Sequence, residues 1–255
     1  MNMTKSPKVI GVILAYKHAA FLEGLYKGLP TGVLDGVIIA NDDSGDNIDA
    51  IAARLGIPCF THPRLGYGGN IKFGLLKAIE MGADYIVEIH GDNQFDTAFI
   101  SPALDKLNQG CDLVLGSRFI DIKQPLRDKM PMVKYLANIG LSFIARVVLG
   151  VPITEFHTGA RIYGRQVIEA ADLTHTSNSF LFGFEILAQA AFHNFKFGEV
   201  STRCYYAREH TSISLWNSLI YAFQMVYILA EFIWARLGFP TRLFGNRVKQ
   251  CKTLQ

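Results

Sequence analysis

A wound α/β sheet, flanked by helices and carrying its ligand groups at the carboxyl ends of its strands, is the fold this sequence predicts. Three observations lead there. Val9 to Ala15 and Val37 to Ala40 are short apolar runs rich in β-branched residues, each stopping at polar residues, as buried parallel strands do. Helix-length segments alternate with such runs through the first half of the chain, the pattern of a wound sheet. Half of the 255 residues are apolar, enough for a sizeable core in one large domain or two small ones.

The elements follow in order. A helix-length segment separates the first two strands, and the alternation continues with Ile48 to Leu55 (helix), Ile57 to Phe60 (strand), Asn70 to Met81 (helix), Tyr85 to Ile89 (strand), Ala98 to Leu107 (helix) and Leu113 to Leu115 (strand). After Arg118 the rhythm changes: Gln124 to Pro131 reads as a Pro-containing basic loop, Met132 to Leu149 as a helix and Ala160 to Tyr163 as a further strand. Phe184 to Phe192 and Leu215 to Leu237 are apolar and of helix length. Without a repeat or a low-complexity linker, residues 1–214 are expected to form one catalytic domain and residues 215–255 a C-terminal helical appendage with a basic tail.

The net charge of +3 is mild, which speaks against a dedicated nucleic-acid binder and leaves room for local basic pockets that receive anions. Cys59, Cys111, Cys204 and Cys251 are widely spaced without a C-x-x-C pair, so neither a zinc ribbon nor a disulfide framework is expected, and a reducing cytoplasm fits best. The polar stretch Met1 to Lys8 runs straight into a strand and does not read as a secretory signal.

Candidate chemistry gathers at the strand ends. Asn41-Asp42-Asp43-Ser44-Gly45-Asp46 after the second strand either turns the chain and caps a helix or offers a carboxylate, best Asp42, to a nucleobase or ribose. Gly66-Tyr67-Gly68-Gly69-Asn70 lacks the spacing and the position of a dinucleotide fingerprint. Its glycines, Gly68 among them, either serve a tight loop or let a diphosphate approach a helix N-terminus. In His90-Gly91-Asp92-Asn93-Gln94, residues 90, 92 and 94 alternate, so extended backbone would point them to one side toward one hard cation shared with substrate phosphates. His90 reads as a metal ligand, a diphosphate donor or a satisfied strand-end histidine. Arg118 and Arg161 adjoin glycines at strand edges, where an arginine can grip phosphate bidentately.

Together these segments resemble glycosyltransferase family 2, the inverting enzymes of GT-A fold, and especially its dolichol-phosphate mannosyltransferase-like, polyprenyl-phosphate sugar transferase branch, over Val9 to Ser214. Of the family's Pro-Tyr-Asn-Glu run only Tyr16 is kept, in Ala15-Tyr16-Lys17-His18. Asp-Asp-Gly-Ser-x-Asp corresponds to Asn41 to Asp46, and Asp-x-Asp-x-Gln to His90 to Gln94, with His90 replacing the first aspartate. Gly116-Ser117-Arg118 is intact, Thr158-Gly159-Ala160-Arg161 is similar to Ser-Gly-Phe-Arg, and Phe184-Glu185 falls where a helix carries a glutamate. Arg203 and Glu209 to Ser214 resemble the segment that closes over the donor.

The resemblance implies a hexose donor, GDP- or UDP-linked, held by Tyr16, Asp42, Gly68, His90, Gly91 and Asp92. It implies Mg²⁺ or Mn²⁺ on Asp92 and Gln94, and charge stabilisation by Asp92, Arg118 and Arg161. A polyprenyl phosphate acceptor, already an anionic nucleophile near neutral pH, would need a basic cradle, for which Arg127, Lys134 and Arg203 join the two arginines. Glu185 does not stand out as a base for a hydroxyl acceptor. A soluble glycan acceptor and a non-catalytic nucleotide-sugar-binding protein are the competing readings. Leu215 to Leu237 could span a bilayer, yet Asn217, Gln224 and Glu231 share one helical face, which suits an interfacial helix. Arg236, Arg242, Arg247, Lys249 and Lys252 follow Glu231 with no acidic residue between them, so peripheral attachment to the inner face of a membrane is expected. Burial in the domain or in a homo-oligomer interface is the alternative.

Overall fold

In the computed structural model the described residues are 6–206 and 215–245. Seven strands form one sheet: β1 (Val9–Ala15), β2 (Gly36–Asn41), β3 (Cys59–Thr61), β4 (Tyr85–His90), β5 (Leu113–Ser117), β6 (Arg161–Gly164) and β7 (Phe197–Ser201), in the order β3-β2-β1-β4-β6-β5-β7. Neighbours run parallel except β6, which is antiparallel to both β4 and β5. The first half is therefore a wound parallel sheet, and β6 is an inverted strand between it and the second half. The helices are α1 (Ala19–Lys27), α2 (Ile48–Leu55), α3 (Tyr67–Glu80), α4 (Ile100–Asn108), α5 (Gln124–Arg127), α6 (Met132–Leu149), α7 (Arg165–Ala170), α8 (Phe182–Phe192) and α9 (Leu215–Arg236).

Alternation along the strands divides the core between two faces. On β1, Ile10, Val12 and Leu14 join the cluster under α3, α6, α8 and α9, whereas Val9, Ile13 and Ala15 join the cluster under α1, α2 and α4. Helix α3 lies close on its face because Gly74 carries no side chain: a Cβ there would meet Val12 Cγ1 at 2.4 Å and Ala40 Cβ at 3.2 Å.

The wound sheet expected from the sequence is present, with three differences. Gln124 to Pro131 is not all loop, since Pro125 sits in the first turn of the short α5, where its missing N–H is harmless. Strand β7 and helix α7 escape a search for apolar runs; β7 (FGEVS) buries alternate residues only. Helix α9 packs a stripe of Met225, Ile228, Leu229 and Phe232 into the core beside α8, and of its expected polar face Gln224 is exposed whereas Glu231 is buried and accepts the Arg242 backbone N–H. Arg247, Lys249 and Lys252, with Glu209 to Ser214, lie outside the described residues.

The packing at Gly74 predicts that Gly74→Val lowers stability by about 1–3 kcal/mol through overpacking against β1, read as a fall in Tm with little change in the folded circular dichroism spectrum.

Candidate active site

The carboxyl ends of β1, β2, β4 and β5 open on one crevice, and because β6 runs the other way its first residue, Arg161, stands at that same end. Arg161 is in register with Glu88 on one side and Leu115 on the other. The strand that breaks the parallel pattern thereby brings a guanidinium into line with the strand that ends in His90.

At the β1 and β2 ends, the Tyr16 ring is half-buried with the Arg64 guanidinium 4.1 Å from its centroid, a flat cationic and aromatic pair of the kind on which a base can stack. Asp42 is buried, and its carboxylate accepts the backbone N–H groups of Leu65 (2.6 Å) and Gly66 (3.0 Å). It fastens the loop that enters α3. Asp43, exposed with φ +51°, is the carboxylate of this cluster that faces solvent.

The β4 end differs from the sequence expectation. Extended geometry stops at His90: Gly91 donates to the Leu14 carbonyl (2.9 Å), Asn93 takes φ +56°, and Asp92 Oδ1 accepts the Gln94 N–H (3.0 Å) in a tight turn. Residues 90, 92 and 94 therefore do not present three side chains by simple alternation. His90 turns back, its Nε2 3.1 Å from Glu88 Oε1 and 3.4 Å from the Tyr67 hydroxyl, which is the satisfied strand-end histidine among the three readings. Glu88 is almost fully buried; Tyr163 donates to its other oxygen at 2.6 Å, and Arg161 Nη1 stands 3.9 Å away. Burial opposes ionisation of Glu88, but Arg161, His90 and Tyr163 outweigh it and hold the carboxyl below its ordinary range. Arg161 keeps Nε and Nη1 buried without a hydrogen-bond partner.

Gly91 is a close-approach position, since a Cβ would lie 2.5 Å from the Leu14 carbonyl oxygen and 2.9 Å from His18 Nδ1. Gly68 is another, but what approaches it is the chain itself. Its N–H donates to the Asn178 carbonyl (2.8 Å), and a Cβ would meet Phe182 Cβ and Ser179 O at 2.6 Å. The expected diphosphate contact at Gly68 is thus replaced by the segment before α8, whose Phe180 ring packs 4.5 Å from that of Tyr67.

Among the described residues no group of three or more His, Cys, Asp or Glu is arranged to hold a metal ion. Asp92 nonetheless suits a hard cation that takes most of its ligands from substrate phosphates and water: it is half-buried, and among the described residues only its Oδ1 accepts a hydrogen bond. Gln94, next in the same turn, carries an amide oxygen.

The basic residues separate into two groups. Arg118 is not an open anion donor. Its Nε donates to Glu155 Oε1 (2.8 Å), its Nη2 pairs with the same carboxylate, its Nη1 donates to the Tyr206 hydroxyl (2.5 Å), and its own backbone N–H donates to Glu155 Oε2 (2.7 Å). It fixes the segment before β6 to the end of β5. Arg203 pairs with Asp128 at 2.6 Å and Arg127 with Asp121 at 2.7 Å, both half-exposed on the rim. Lys134, in the first turn of α6, has no ion pair among the described residues; burial first, then Arg118, lowers its pKa, and its Nζ lies 5.8 Å from the Tyr206 ring.

Sequence reasoning missed Glu88, Tyr67, Glu155 and Tyr163. A signal for Glu88 existed: a lone charge in the apolar strand Tyr-Ile-Val-Glu-Ile-His, two residues before His90 and so on its face. Glu155 and Tyr163 act through contacts far apart in the chain. The Arg118–Glu155 pair predicts that Glu155→Ala, which leaves a buried guanidinium uncompensated, destabilises by about 3–5 kcal/mol. Arg118→Met with Glu155→Leu should cost less than that single change; urea unfolding of the variants measures both.

Comparison with known proteins agrees with this architecture. The glycosyl transferase family 2 model matches residues 17–171, more than half of the chain. The UDP-N-acetylglucosamine–dolichyl-phosphate N-acetylglucosaminyltransferase of Methanococcus voltae is 26% identical over 238 residues, 86% of this chain and 93% of that one. The polyprenol monophosphomannose synthase of Mycolicibacterium smegmatis is 26% identical over 172 residues, 64% of each chain. Among solved structures, glucosyl-3-phosphoglycerate synthase from Mycobacterium tuberculosis in complex with UDP superposes with a TM-score of 0.68 at 18% identity, covering 92% of this chain and 82% of that one. The same enzyme with Mn²⁺, UDP and glucosyl-3-phosphoglycerate gives a TM-score of 0.65 at 16% identity and the same coverage. The GT-A fold is common to them, and the chain described here belongs to glycosyl transferase family 2, as a glycosyltransferase that uses a nucleotide-sugar.

Proposed function

We propose that the enzyme moves a hexose from a GDP- or UDP-sugar to a polyprenyl phosphate at a membrane surface, with inversion at the sugar carbon. The observation that carries this reading is the state of the carboxylates. Transfer to a sugar hydroxyl needs a positioned base. Glu88 is buried against His90, Tyr163 and Arg161, Glu155 is bound by Arg118, and Asp42 is bound by two backbone N–H groups. Glu185 is fully buried, accepting the Ser177 N–H at 2.6 Å and facing Arg242 at 3.2 Å. A phosphate monoester acceptor brings its own anionic oxygen and needs none of them.

In this reading Tyr16 and Arg64 stack the base, and Asp92 with Gln94 would hold Mg²⁺ or Mn²⁺. Such an ion, when bound, neutralises charge growing on the leaving diphosphate. Lys134, Arg127 and Arg203 line the rim where the acceptor enters, and Arg161 lies beneath the crevice beside Glu88. Arg118 contributes by holding the rim segments together. The names of the curated relatives, which specify dolichyl-phosphate and polyprenol-phosphate chemistry, support the acceptor class.

The outer faces of α6 and α9 support the membrane. Both helices are long and apolar enough to cross a bilayer by length and composition. Each instead packs one stripe on the core and turns large apolar side chains outward. Helix α6 buries only Ser142, Ala145 and Leu149 while exposing Met132, Val133, Leu136, Phe143 and Val147. On α9, Phe223 is 76% exposed, with Leu219, Tyr227 and Trp234 also outward. Two adjacent helices with this inverted distribution suit immersion of their outer faces in the headgroup boundary. Free thiols at Cys59, Cys111 and Cys204 and the basic C-terminal segment fit the cytoplasmic leaflet.

The protein is expected to form glycolipid when given a panel of nucleotide sugars, Mn²⁺ or Mg²⁺ and a short polyprenyl phosphate. Asp92→Ala or chelation should lower the rate by about 100-fold or more; product that persists undiminished in Asp92→Ala removes the metal assignment. In flotation with vesicles containing anionic lipid, the full chain should rise with the lipid. Val133→Ser with Phe223→Ser should leave more of it in the soluble fraction, whereas unchanged flotation, or a dimer whose association depends on those residues, would assign the apolar face elsewhere.

A further inference from the structure

Below α9 is a cluster of polar side chains that the assignments above do not use. His157 lies in the segment joining Glu155 to β6, with its ring stacked on Phe184 at the start of α8, 6.4 Å between centroids. Tyr221, on α9, is 3.0 Å from His157 Nδ1 through its hydroxyl, and their rings meet edge to face. The other ring nitrogen, Nε2, is buried without a hydrogen-bond partner. Arg161, 4% exposed, presents Nε and Nη1, likewise without a hydrogen bond among the described residues, next to the same turn of α8: a Cβ on Gly183 would lie 2.5 Å from Arg161 Nη1. Three buried nitrogen atoms on two neighbouring side chains thus have no hydrogen-bond partner among the described residues, although Arg161 Nη1 faces Glu88 at 3.9 Å. Buried donors of this kind are able to receive an anionic oxygen.

We propose that His157, Arg161 and Tyr221 form a binding site for the phosphate of the acceptor, with His157 Nε2–H and the Arg161 guanidinium as the two donors. This rests on the acceptor being a phosphate monoester, and it adds to the rim cations a site between α8 and α9 on the side of the apolar helices. The chemistry is that of a mixed cradle. Burial, with Arg118 and Arg161 close by, pushes the His157 pKa down to about 3, so in the free protein the imidazole is neutral near pH 7. When the Tyr221 hydroxyl donates to Nδ1, the ring proton sits on Nε2 and the imidazole becomes a fixed donor without charge. A neutral donor orients a phosphate oxygen without adding another cation to weaken it as a nucleophile, and Arg161 supplies the single full charge. The main chain gives the site its stiffness: His157 O faces Arg118 Nη2 at 3.4 Å, and the Thr158 hydroxyl accepts the Ala160 N–H at 3.1 Å.

The test uses the full chain, citronellyl phosphate as the phosphate monoester, and UDP and GDP as the diphosphates, with affinities measured by titration calorimetry. His157→Leu should weaken citronellyl phosphate by about 10- to 100-fold, the loss of a hydrogen bond to a charged group, and leave nucleotide affinity within about twofold. His157→Gln, whose amide N–H can replace Nε2–H, should recover part of the loss. Unchanged citronellyl phosphate affinity in folded His157→Leu overturns the site, as does a parallel fall in nucleotide affinity, which would give these donors to the leaving diphosphate. If His157→Leu does not fold, Tyr221→Phe carries the test, because freeing the ring tautomer should raise the citronellyl phosphate Kd, and no change sinks the proposal. Wild-type protein that binds citronellyl phosphate in this pattern but transfers no sugar to it refutes the proposed acceptor and keeps the site. Transfer whose acceptor KM is untouched by His157→Leu refutes the site and keeps the acceptor.

Discussion

Glu88 is the residue around which the centre of the molecule is arranged. An ionised carboxylate in the interior survives only if hydrogen bonds and opposite charge replace the water it gave up. Here the replacements come from three directions: His90 on its own strand, Tyr163 across the strand pair and Arg161 in register beside it. Meeting this requirement joins β4 to β6, fixes the ring of the histidine that ends β4, and stations a guanidinium beneath the crevice. A neutral residue at position 88 would leave Arg161 as a buried cation without its carboxylate. The substitution of His90 for the family's aspartate is also easier to understand in this light. With Glu88 two residues earlier on the same face, a second carboxylate at 90 would crowd like charges in the interior, whereas an imidazole can bridge Glu88 and Tyr67.

What the sequence made legible was decided by the range of the interactions involved. Strands β1, β2, β4 and β5 could be read because burial on both faces makes them continuous apolar runs, and their polar ends gave away the crevice. Residues whose role depends on local backbone were legible in part. Asp92 and Gln94 were singled out by their spacing, but the positive φ at Asn93 that ends the strand geometry leaves no mark in an alternating pattern. Asp42 was read as a carboxylate for a nucleobase or ribose, while the partners it has, the N–H groups of Leu65 and Gly66, are invisible to any reading by residue type. The pairing of Arg118 with Glu155 spans two motifs that look independent in the chain, and only the antiparallel insertion of β6 brings them together.

The two faces of the sheet have different duties. The face under α1, α2 and α4 is a conventional core, closed by amphipathic helices. The opposite face is covered by α3, α6, α8 and α9; α6 packs mainly through Ser142, Ala145 and Leu149, α9 through Met225, Ile228, Leu229 and Phe232, and both show large apolar residues outward. Lys134 stands in the first turn of α6, so the helix with the exposed apolar face also starts beside the Arg118–Tyr206 contact. The exposed apolar face and the basic residues at the crevice therefore lie within one element's length of each other.

The inverted strand has a consequence for how the chain assembles. Strand β4 ends at His90 and β5 begins at Leu113, yet neither is a neighbour of the other; both await Arg161 to Gly164, and β5 also awaits Phe197 to Ser201. Until then the parallel half has an open edge at β4 with the Glu88 carboxylate beside it. Closing that edge requires contacts between residues some seventy apart, the kind of nonlocal pairing that slows folding. The same step that completes the sheet brings Arg161 to Glu88, so the catalytic crevice acquires its charge balance only when the second half of the chain has docked. A chain stopped before β6 would thus hold an exposed edge strand and an uncompensated carboxylate rather than a smaller working enzyme.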